Sequence, residues 1–91
     1  MAVLITVRVK GDPAKLAAGY DAIAAYEEAN VPELGCHLCA KTADGIFVAG
    51  VWQTAEAFER LFASPEFRHI LSAQQMPPPE IEILELHQWR H

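Results

Sequence analysis

Residues 43–62 read Ala43-Asp44-Gly45-Ile46-Phe47-Val48-Ala49-Gly50-Val51-Trp52-Gln53-Thr54-Ala55-Glu56-Ala57-Phe58-Glu59-Arg60-Leu61-Phe62. The Asp44-Gly45 pair is a strong hairpin signal, because both residues tolerate the left-handed dihedrals of tight two-residue turns. It opens an apolar strand over 46–52. That strand runs into Trp52-Gln53-Thr54, where the Thr54 hydroxyl is placed to cap a helix. Phe58, Leu61 and Phe62 then recur at helical spacing and mark an inward face.

Working outward, 35–42 reads as the strand that enters the turn, and the β-branched run over 2–9 as a first strand. Between them, Gly11-Asp12-Pro13 supplies a turn, an N-cap and a proline suited to the first helical position. The helix it starts extends to about Asn30, with Leu16, Tyr20, Ile23 and Glu27 on one stripe, and Val31-Pro32 ends it. Downstream, Ser64-Pro65-Glu66 restarts a helix carrying Phe67, Ile70 and Leu71. Met76-Pro77-Pro78-Pro79 is a stiff connector, and a last strand is expected from Ile81 to about Arg90. The order is β-α-β-β-α-β, the ferredoxin-like arrangement of a four-stranded antiparallel sheet with helices on one face, expected as one domain over 1–91.

Strand one offers Val3, Ile5, Val7 and Val9 to one face and Leu4 and Thr6 to the other; strand three is apolar on both faces. Helices cover one face only. An uncovered apolar sheet exceeds the patch a small monomer tolerates, so a homodimer with sheets meeting face to face is expected. The chain has 91 residues, 52% of them apolar, and a net charge of -5. Its seven basic residues are scattered, which argues against nucleic acid as a partner. No apolar run approaches the ~20 residues of a membrane span, and Val3-Leu4-Ile5 lacks the basic flank of a signal peptide. Cys36 and Cys39 read as reduced, buried thiols, and the expected compartment is the cytoplasm.

The pattern strand-Trp-x-Thr-x-Glu-Ala-Phe-x-x-x-Phe over Val48 to Phe62, followed by Ser64-Pro65-Glu66-Phe67, resembles the antibiotic biosynthesis monooxygenase-like domains of the dimeric α+β barrel superfamily. The resemblance implies a dimeric barrel. It also implies an activity among several: cofactor-independent oxidation of aromatic phenols or quinols, haem degradation, or isomerisation. The haem-degrading branch relies on an Asn in the first strand, a Trp in the second helix and a His near that helix's end. Here the only Asn is Asn30, Leu61 stands near the Trp position, and His69 lies within about one position of the ligand. Neither haem nor metal is therefore expected.

Among candidate groups, Cys36 and Cys39 have opposite parity on a strand and point to opposite faces. His37 and Cys39 share a face, but two ligands fall short of a zinc site. Imidazole suits proton abstraction near neutral pH, so His69 is the first candidate base and His37 the second. Trp52, Phe62, Phe67 and Tyr20 are candidate walls of a substrate cleft between helices and sheet. The expected reaction is oxidation of a small aromatic phenol or quinol by dioxygen, without cofactor. Two other readings stay open: a non-catalytic small-molecule-binding or regulatory dimer, and an isomerase or lyase acting on a small carbonyl compound.

Overall fold

A computed structural model describes residues 1–90. The elements are β1 (Val3–Lys10), α1 (Pro13–Asn30), β2 (Leu34–Thr42), β3 (Gly45–Trp52), α2 (Ala55–Ala63), α3 (Pro65–Ala73) and β4 (Glu80–Glu85). The strands pair in the order β2-β3-β1-β4, every pair antiparallel. This is the expected ferredoxin-like sheet with helices packed on one face.

Each helix begins where a short polar side chain can satisfy a free N–H group. The Asp12 carboxylate accepts from Ala14 N–H at 3.0 Å, with Pro13 opening α1. Thr54 Oγ1 accepts from Ala57 N–H at 3.1 Å. Ser64 ends α2 and caps α3 through Phe67 N–H, so Pro65 marks a corner between two short helices. The exit of α3 is a Schellman-type cap: Met76 N–H reaches Leu71 O and Gln75 N–H reaches Ser72 O. Gln75 accordingly sits at φ 54, in the left-handed region. That cap turns the chain into the Met76–Pro79 connector.

Two expected boundaries need correction. The β2–β3 reversal lies at Ala43-Asp44, one residue early, because Gly45 already pairs with Thr42 as the first residue of β3. Gly45 is needed for room rather than for its dihedrals: a Cβ there would run into the carbonyl oxygen of Val9 on β1. The last strand stops at Glu85 instead of reaching Arg90. Its partner β1 begins at Val3, opposite Glu85, and beyond that pair Leu86 N–H bonds back to Ala2 O.

The register sorts the side chains. Ile5, Val7 and Val9 of β1 lie across from Gly50, Val48 and Ile46 of β3 on the helix-covered face. Under the helices, Ile5, Ile23, Trp52, Phe58, Leu61 and Phe67 form the main core, and Val9, Leu16 and Ile46 a second, smaller one. β4 lies beyond the helices, which leaves Ile81 and Ile83 exposed although they share the face of Val7 and Ile5. The helix-free face is mixed rather than uniformly apolar. Leu4, Val51, Leu38 and Leu84 occupy one part of it. Arg8 stacks over Phe47 at 4.6 Å, and lies across from Glu80. Cys36 and Cys39 are free and exposed on the outermost strand β2, contrary to the buried thiols expected. Among the described residues, no helix is long and apolar enough to cross a membrane.

Candidate functional site

Between the helices and the sheet lies a cavity of about 270 Å³. Its walls come from every layer: Ile5, Val7 and Val9 of β1; Ile46, Val48 and Trp52 of β3; Phe58 and Phe62 of α2; Phe67 and Leu71 of α3. Met76 to Pro79 run along its rim. The connector is held there partly because Gly19 of α1 lets Met76 approach: a Cβ on Gly19 would sit 2.8 Å from Met76 Cε. Aromatic rings build one side. Trp52 meets Phe58 edge-on at 5.3 Å between centroids, Phe58 meets Phe62 at 4.5 Å, and Phe62 meets Phe67 at 5.3 Å.

Three lining residues can exchange a proton, namely Tyr20 and Glu27 of α1 and His37 of β2. His37 faces inward because an irregularity between Leu34 and His37 shifts the β2 register, setting His37 opposite Gly50, where a Cβ would crowd Leu34 and Trp52. The Tyr20 hydroxyl lies 2.9 Å from His37 Nδ1. His37 Nε2 lies 3.6 Å from the Glu28 carboxylate, too far for a hydrogen bond but close enough for attraction. A carboxylate only accepts, so it favours the tautomer with the proton on Nε2. Nδ1 is then the acceptor, and Tyr20 donates to it. Burial, with the negative charges of Glu27 and Glu28 nearby, raises the Tyr20 pKa well above the usual tyrosine range, so it stays a neutral phenol.

Glu27 is the residue that sequence reasoning placed on the α1 stripe without giving it a role. It is 8% exposed, the one buried charged side chain among the described residues, and it borders the cavity. Burial, reinforced by neighbouring Glu28, pushes its pKa up to about 7. The available signal was a carboxylate at i+4 from Ile23 and i+7 from Tyr20, on a stripe that otherwise faces the core.

Of the residues nominated from sequence, His37, Trp52, Phe62, Phe67 and Tyr20 all border the cavity. His69 does not. It is exposed on α3, whose inward positions are taken by Phe67, Ile70 and Leu71. Partial burial of its sulfur, then the charge of Asp21, raises the thiol pKa of the otherwise exposed Cys39, which makes it a poor nucleophile. Among the described residues, no three His, Cys, Asp or Glu side chains gather closely enough to hold a metal.

No protein-family model matches the chain, and no curated protein matches its sequence. Solved structures do match its fold. SnoaB, a cofactor-independent oxygenase from Streptomyces nogalater, is 24% identical over 97% of this chain and 95% of its own, with a TM-score of 0.77. A candidate antibiotic biosynthesis monooxygenase from Caulobacter crescentus is 20% identical over 96% of this chain and 91% of its own, with a TM-score of 0.77. Rv0793 from Mycobacterium tuberculosis is 14% identical over the whole of both chains, with a TM-score of 0.68. At such identities the likeness is one of fold. The chain has the antibiotic biosynthesis monooxygenase-like fold, as its sequence pattern implied.

Proposed function

We propose that this protein oxidises a small aromatic phenol or quinol with dioxygen in the helix–sheet cavity, and that the substrate itself supplies the electrons. The observation that carries this reading is that one cavity is lined both by aromatic rings and by proton-exchanging groups. Trp52, Phe62 and Phe67 offer ring faces to a flat substrate and exclude water. Its hydroxyl would donate to the oxygen of Tyr20, which passes a proton to His37 Nδ1, and Glu28 stabilises the imidazolium formed at Nε2. The phenolate produced is electron-rich enough to react with dioxygen. The same fold in SnoaB, a cofactor-independent oxygenase, supports the reading.

Oxygen uptake tests it, using reduced quinones and hydroxynaphthalenes in the presence of a chelator. Uptake that collapses in His37→Ala and persists in His69→Ala is the expected result. Absence of uptake by the wild type across the panel would transfer the reading to a ligand-binding module.

The working form is proposed to be a homodimer. Leu38 is 65% exposed and Leu84 40% exposed on the helix-free face, and a second copy is the cover that the fold suggests. Light scattering at micromolar concentration should give twice the chain mass. The free cysteines fit a reducing compartment such as the cytoplasm.

A further inference from the structure

We propose that Glu27 is the proton donor of this oxidation, delivering its carboxyl proton to the oxygen–oxygen group formed on the substrate. The inference rests on the reading above and deepens it. The reaction needs both a base and an acid, and the cavity holds two separate proton-exchanging groups. His37 is engaged at both nitrogens, by Tyr20 and by Glu28. Glu27 is different: among the described residues, no side chain hydrogen-bonds its carboxyl, although the residue is 8% exposed. Among the described residues no side-chain oxygen or nitrogen is both buried and unpartnered, so the Glu27 carboxyl oxygens keep an open approach, and the residue borders the cavity. A substrate oxygen arriving in the cavity would meet them there.

The steps balance for a phenol with hydrogen at its para carbon. The hydroxyl proton goes through Tyr20 to His37. The para carbon of the phenolate bonds to dioxygen, which becomes a carbon-bound peroxide anion. Glu27 protonates the terminal oxygen. The O–O bond then breaks as the para C–H proton returns to the Glu27 carboxylate, leaving a carbonyl and hydroxide. Hydroxide takes the proton held on His37 and departs as water. Phenol and dioxygen have become quinone and water, and both side chains are restored.

The ionisable groups around Glu27 are Tyr20 and Glu28 of α1 and His37 of β2; β1, β3, α2 and α3 present only apolar or glycine positions to the cavity. Burial, with the charge of Glu28 beside it, holds the Glu27 pKa at about 7. The carboxyl is therefore available as an acid below that pH and lost above it.

The test is 1-naphthol oxidation by the full chain, wild type against Glu27→Gln, with anaerobic calorimetry of 1-naphthol binding alongside. Glu27→Gln is expected to lower kcat by about 10²-fold, in the range for loss of a general acid, with Kd within about threefold of wild type. Wild-type kcat should fall above about pH 7, and the variant should lack that fall. A variant that keeps kcat, keeps the alkaline fall, or loses binding by the same factor as turnover overturns the role of Glu27 alone. A wild type that takes up no oxygen with 1-naphthol or the wider panel overturns the oxidation itself, and the role of Glu27 with it.

Discussion

The two sides of the cavity are built by different means. The aromatic side comes from one continuous stretch, Trp52 through Phe67, folded over the end of β3 by two capped helices. The proton-exchanging side comes from residues far apart in sequence. Tyr20 on α1 meets His37 on β2 across 17 positions, and both depend on helix and strand packing together. The first side stores stability, since burial of rings is worth several kcal/mol each. The second gives some of that up: a carboxyl and a phenol are held out of water at a cost. Stability and the proposed chemistry thus fall to different residues around one space.

Four substitutions test that division, from the largest expected effect to the smallest. Phe67 is 1% exposed and packs on both Phe62 and Tyr26. Phe67→Ala should cost about 3–5 kcal/mol in urea denaturation, and a loss near 1 kcal/mol would show that the aromatic wall is not where stability lies.

Glu27 is expected to act in the opposite sense. Its folded-state pKa, about 7, lies above the ordinary 4.5, so the folded protein binds the proton more tightly than the unfolded chain does. Stability is then fully present below about pH 4.5 and falls by about 3 kcal/mol as pH rises to about 7. Glu27→Gln should flatten that slope, as a pH series of denaturation midpoints would show.

Tyr20→Phe removes the hydroxyl that bonds His37 at 2.9 Å. The expected stability loss is about 1 kcal/mol, while oxygen uptake should drop by far more than that loss explains. Equal effects on both would merge the two walls into one structural unit. Glu28→Gln should change stability by under about 0.5 kcal/mol, because the Glu28 side chain is 67% exposed and its attraction to His37 is screened.

The aromatic wall was legible because its signals are local. A cap, a proline and inward residues at helical spacing lie within one short segment, and Thr54, Ser64 and Pro65 do what their positions announce. His37 was legible as a residue but not as a partner of Tyr20. The strand irregularity after Leu34 that turns it inward leaves no periodic trace. His69 misled because helical spacing alone does not say which face of a nine-residue helix turns inward. That was settled by Phe67, which α3 buries under α1 and α2. Glu27 passed unnoticed since a lone carboxylate on an apolar stripe usually reads as a boundary residue.

By itself, the sequence determined the order of elements, the caps, the antiparallel ferredoxin-like sheet and the aromatic content of the helix–sheet layer. These follow from short-range preferences that a linear pattern carries in full. Tertiary structure alone decided which ionisable groups share the cavity, where β4 stops, and which thiols and isoleucines remain exposed. Each of these depends on strand register and on how far the helices reach across the sheet. Register and reach are set by many weak contacts acting together, and no single segment of the chain contains them.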